Sequence, residues 1–145
     1  MNHNAFKVIS LLTKYPNEWM DTQSIAYDTD LTSRQVSSVV MVLDIPYLRK
    51  SRDRDNKMIV MFEGTPKDVE ETIRAATKEY YRIPDDDIVK VDSVLSPAGW
   101  LTVADITEET GFSRNAVTKT LKCVEGVDKM CVGASTLYRR MPNYD

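Results

Sequence analysis

Residues Leu31–Leu43 read LTSRQVSSVVMVL, and 81 positions further on the chain writes a second version, FSRNAVTKTLKCV at Phe112–Val124. In this register Leu31 falls on Phe112, Thr32 on Ser113, Val36 on Val117, Val40 on Leu121 and Leu43 on Val124. The correspondence continues upstream, where Trp19 falls on Trp100, Asp21 on Thr102 and Ile25 on Ile106. Once two residues are dropped, Val8 and Leu12 fall on Val91 and Leu95. A period this long implies a duplicated domain, not a solenoid repeat.

Both versions start as helices start. Thr32 or Ser113 can accept a hydrogen bond from an open amide of the first turn, and Gln35 follows Thr32 at the capping-box spacing. Val36, Val39, Val40 and Leu43 recur at three- and four-residue intervals and make one apolar stripe; Val117, Leu121 and Val124 repeat it. The opposite front holds Ser33, Arg34, Ser37, Ser38 and Met41 in the first copy. In the second it holds Arg114, Asn115, Thr118, Lys119 and Lys122. A short helix with an apolar back and such a front fits the major groove of DNA. A merely solvated face is the plainer reading of the same residues.

The chain's 145 residues, with 42% hydrophobic, can make two domains of about 60 residues each. Residues 1–64 and 85–145 are the expected domains, with a connector helix over 65–84. No apolar run approaches membrane-spanning length and MNHNAFK has no signal-peptide core, so a cytoplasmic protein is expected, nucleoid-associated if prokaryotic. Cys123 and Cys131 lack metal or redox spacing and read as free, packed thiols. The net charge of −3 argues against indiscriminate coating of nucleic acid. Charge is uneven, though: RKSRDRDNK at 49–57 sets Arg49, Lys50, Arg52, Arg54 and Lys57 against two acids.

Taken in order, Ala5, Val8, Ile9 and Leu12 form a first helix that ends before Pro16. Asp21 caps a second over about 22–27, and the 31–43 helix follows a tight turn, giving a helix-turn-helix. The run 57–62, KMIVMF, alternates as a strand, and residues 53–56 turn between two strands. Thr65-Pro66-Lys67-Asp68 opens the connector, with Val69, Ile73, Ala76 and Tyr80 on one side. The second domain repeats the order and closes on a shorter hairpin between 129 and 140. The fold class is therefore mostly α with small β-hairpin wings (α+β).

Three helices and a charged hairpin resemble the winged-helix family, over about residues 4–63 and again in the second copy. The resemblance implies two winged-helix domains and double-stranded DNA as partner. The α-helical front residues would read bases, and Arg49, Lys50, Arg52, Arg54 and Lys57 would reach phosphates or a minor groove. Tandem winged helices also serve as protein–protein adaptors, and a sequence pI of about 5.2 fits that use. A protein partner, or self-association through the connector helix, is the alternative.

No enzyme is expected. The lone His3 lies in an N-terminal tail, no serine or cysteine has a histidine near it in sequence, and no cluster has metal-ligand spacing. Asp85–Asp87 reads as a helix start, so neither metal nor cofactor is expected. Trp19 and Trp100 read as core anchors more than base-stacking platforms, and Met41 and Met58 as packing filler.

Overall fold

Asn2 opens the first helix by accepting the Ala5 amide at 2.7 Å, giving α1 (His3–Lys14). His3 thus stands in the first helical turn, not in a tail. The computed structural model describes residues 1–142. After α1 come β1 (Met20–Asp21), α2 (Thr22–Thr29), α3 (Ser33–Val42), β2 (Leu48–Arg52), β3 (Met58–Phe62) and α4 (Pro66–Tyr81). The remainder holds α5 (Asp85–Val94), α6 (Val103–Thr110), α7 (Arg114–Leu121), β4 (Val127–Val132) and β5 (Ser135–Arg140). Among the described residues this is an α+β fold of seven helices and two small antiparallel sheets. No helix there is long and apolar enough to cross a membrane.

The chain forms two units, Met1–Ala76 and Thr77 onward, with the division inside α4. In the first, Val8, Leu12, Ile25, Val36, Val40, Val60 and Phe62 form a core against which Val69 of α4 packs. Its sheet runs β1-β3-β2, with Met20 opposite Val60 and Leu48 opposite Phe62. In the second unit Val91, Leu95, Ile106, Val117, Leu121 and Val124 form the core, and β4 pairs with β5. An isolated bridge from Leu101 to Tyr138 stands where β1 meets β3 in the first.

Residues 81 apart do the same local work. Asp21 accepts the Ser24 amide at 2.7 Å to start α2, and Thr102 accepts the Asp105 amide at 3.1 Å to start α6. The buried Thr29 and Thr110 hydroxyls donate to the carbonyls of Ile25 and Ile106, at 2.6 and 2.7 Å. Asp30 and Gly111 then end these helices in the left-handed region, at φ 61° and 77°. Thr32 and Gln35 close a full capping box on α3, while Ser113 caps α7 with its hydroxyl alone.

A Cβ added to Gly111 would meet nothing within 4 Å, so only backbone strain opposes a side chain there. Gly111→Ala is expected to cost about 1–2 kcal/mol in denaturant unfolding. Gly111→Asp, which copies the first unit, should cost less, because a short polar side chain eases that conformation. Equal losses for the two variants would show that strain is not what the glycine relieves.

The hairpins depart from strict repetition. Matching the Met20–Val60 and Leu101–Tyr138 pairs sets the strand offset at 78, three fewer than in the helices. Phe62, fully buried in the first core, then corresponds to Arg140, whose guanidinium holds Asp92 of α5 at 2.6 Å. That pair is part-exposed and contributes at most about 1 kcal/mol. The second hairpin is the shorter one, spanning 127–140 against 48–62, but through its loop: β4 and β5 have six residues each, against five in β2 and β3. A two-residue loop begins at Gly133, φ 59°, a conformation glycine supplies for tight hairpins.

Candidate nucleic-acid interface

The third helix of each unit buries one stripe and turns the other outward. Val36, Val39 and Val40 of α3 and Val117, Thr120 and Leu121 of α7 are buried. Among the front residues Arg114, Asn115, Thr118, Lys119 and Lys122 are all exposed. Ser33, Arg34 and Ser38 are exposed too, and Ser37 is half-buried.

Their hydrogen bonds separate available groups from occupied ones. Thr118 Oγ1 donates to the Arg114 carbonyl at 2.9 Å, and Ser38 Oγ to the Arg34 carbonyl at 3.0 Å. Both hydroxyls are thereby turned onto their own helices. Lys119 Nζ lies 4.7 Å from the Tyr81 ring centroid, a cation–π contact at the end of α4. Arg114 and Lys122 have no ion pair among the described residues. On α7 the guanidinium of Arg114, the amide of Asn115 and the ammonium of Lys122 are therefore the groups free to meet a ligand.

In the first hairpin the basic side chains do not make one row. Residues opposite each other in an antiparallel pair share a face. Lys50 and Arg52, opposite Val60 and Met58, fall on one side of the sheet, and Arg49, opposite Met61, falls on the other. Arg49 Nε holds Glu63 at 2.7 Å, and Arg52 Nη1 donates to the Asn56 carbonyl at 2.9 Å, bracing the turn. Asp53 Oδ1 accepts the amides of Asp55 and Lys57, both at 2.9 Å, and so shapes the tip. The Asp21 carboxyl is held below the usual range first by the Ser24 amide and only in small part by the charge of Lys57. Lys50 and Arg54 keep exposed charges with no ion pair among the described residues.

Each unit thus carries half of what the sequence suggested. The first joins a charged hairpin to a helix front whose only charge is Arg34. The second joins a charged helix front to a hairpin whose cations are mostly engaged. Arg139 lies over the Trp100 ring at 4.3 Å and pairs with Asp128 at 3.1 Å, while Arg140 holds Asp92. Along β4 the exposed residues beyond Lys129 are Met130, Cys131 and Val132.

Three expectations need correction here. Cys123 is buried, but Cys131 is exposed, because it lies on a hairpin strand beyond the core; neither forms a disulfide among the described residues. Met41 is 70% exposed and fills no core, since it stands on the α3 front. Neither tryptophan belongs to a core: Trp19 is 47% exposed, and Trp100 is half-buried under Arg139. Among the described residues no group of three or more His, Cys, Asp or Glu could hold a metal ion.

Sequence reasoning overlooked an aromatic surface on the first unit. Tyr15, Trp19, Met20 and Ile59 line a groove of ≈ 510 Å³, together with Glu18 and Asp28. Tyr27, 89% exposed, lies beside it on α2. The signal available was Tyr15, Trp19 and Tyr27 with acids and no helical stripe to bury them.

No family model matches the sequence, and no curated protein matches it. Among solved structures, the crystal structure of the DIP2311 protein from Corynebacterium diphtheriae aligns with 97% of this chain at 13% identity and a TM-score of 0.33. The alignment covers 26% of that protein, so the chain spans about a quarter of its length.

Proposed function

We propose that each unit is a winged-helix module and that the chain binds double-stranded DNA sequence-specifically, as a transcriptional regulator. The observation that carries this reading is the front of α7, where Arg114, Asn115 and Lys122 stand exposed on a helix anchored from behind by Val117 and Leu121. Arg and Asn can each offer paired hydrogen bonds to a purine edge, and lysine can neutralise phosphate. Arg34, Lys50 and Arg54 of the first unit would add backbone contacts.

The test is selection of duplexes from random DNA, followed by titration of the best one at rising salt. Four or five phosphate contacts predict a log–log slope of about −4. Absence of any binding at low salt, or affinity indifferent to salt, sinks the proposal.

A second reading, a tandem winged-helix adaptor that docks on another protein, has an observation of its own. Val42 is 82% exposed beside the exposed Met41 at the end of α3, apolar groups that gain nothing from phosphate.

A further inference from the structure

The two tryptophans are equivalent in sequence and unequal in surroundings. In the second unit the Arg139 guanidinium lies 4.3 Å from the Trp100 ring centroid and also pairs with Asp128 through Nε at 3.1 Å. The strand offset of 78 puts Met61 at the corresponding place in the first unit, so that unit supplies no cation there. Trp19 accordingly has no cation over its ring among the described residues and keeps 47% of its surface exposed. The acids are nevertheless present. Glu18, Asp21 and Asp28 all line the groove beside Trp19, and no lysine or arginine does.

We propose that this groove docks a segment of another protein that carries arginine or lysine next to apolar residues, its cation stacking on Trp19 as Arg139 stacks on Trp100. The aromatic face attracts a guanidinium or ammonium group and the acidic rim pairs with it. Met20, Ile59 and Tyr15 offer the apolar contact that flanking side chains need. Nucleic acid is excluded as the occupant, because three carboxylates would face its phosphates. Two lysines act near the surface: Lys14 lies 5.6 Å from the Tyr15 ring, and the charge of Lys57 contributes a small part to the lowered pKa of Asp21. Neither lines the groove. The proposal does not depend on DNA binding, which uses α7.

The test uses the full chain as bait for random peptides displayed on phage, in parallel with the double variant Glu18→Lys/Asp28→Lys. Both replaced side chains are exposed, and neither makes a hydrogen bond or ion pair among the described residues, so the variant should fold. Expected is enrichment of peptides with Arg or Lys beside apolar residues, bound at least about tenfold more weakly by the variant and by Trp19→Ala. Four results overturn the proposal: no enrichment, acidic or uncharged winners, basic winners that the variant binds equally well, or a concentration-dependent dimer that the variant abolishes. The last would make the occupant the 49–57 segment of a second copy.

Discussion

Phe62→Ala should lower the unfolding midpoint of the first unit steeply and leave that of the second unchanged. Phe62 is fully buried at the end of β3, and three separate features of its surroundings depend on the ring or its backbone. Tyr47 packs edge-on against it, with ring centroids 5.8 Å apart. The Tyr47 hydroxyl in turn bonds the Asp68 carboxylate, whose pKa is lowered chiefly by the Thr65 amide at the start of α4. The Phe62 carbonyl, which alanine would keep, accepts the Asn17 amide at 2.6 Å and ties the end of β3 to the turn between α1 and β1. Gly64 is close enough that a Cβ there would stand 2.9 Å from the ring, which shows how little room the site has to collapse.

Truncating such a phenylalanine costs about 3–5 kcal/mol, a large part of the roughly 5–15 kcal/mol that folds an ordinary domain. The midpoint should fall by about 12 °C or more. The two tryptophans make the result legible unit by unit. With Trp100→Phe, the fluorescence of Trp19 should report the early transition; with Trp19→Phe, that of Trp100 should still report an unshifted one. A common transition for both would mean that the two units do not unfold independently, and a fall of under 1 kcal/mol would mean that the pocket refills.

Which parts of this were legible beforehand follows from the range of the forces involved. Helix starts were readable because a cap is a contract between residues three apart: Asp21 with Ser24, Thr32 with Gln35, Thr65 with Asp68. The 81-residue offset was readable because the helix cores keep their spacing, so Val36 and Val117 are both fully buried. The hairpins broke that offset, since a loop can lose three residues without disturbing either strand. Arg140 could not then be recognised as the counterpart of Phe62. Trp19's exposure was hidden for the same reason: the place that Arg139 takes over Trp100 falls to Met61 in the first unit, a correspondence that only the strand register reveals. Lys119 was rightly placed on the α7 front, but its contact with Tyr81 crosses from one helix to another, which no local pattern reveals. The splitting of Lys50 and Arg49 onto opposite faces, by contrast, was implicit in strand alternation.

Single substitutions on α7 should divide sequence reading from phosphate attraction. Arg114→Ala is expected to weaken binding to the selected duplex by about 1–3 kcal/mol, and to weaken a scrambled duplex less, so that the ratio of the two affinities shrinks. Lys122→Ala should weaken both duplexes alike and lower the salt slope by about 1. Neither change should move the unfolding midpoint by more than about 0.5 kcal/mol, because both side chains are exposed and unpaired among the described residues. Lys119→Ala is the instructive contrast. It removes a charge that already rests on Tyr81, so its effect on DNA should be smaller than that of Lys122→Ala, and it alone should lower stability, by about 0.5–1 kcal/mol. If Arg114→Ala weakened selected and scrambled duplexes equally, Arg114 would be a phosphate contact and base reading would have to come from Asn115. If neither Arg114→Ala nor Lys122→Ala changed affinity, α7 would not be the interface, and the basic hairpin at 49–57 would have to carry the binding by charge alone.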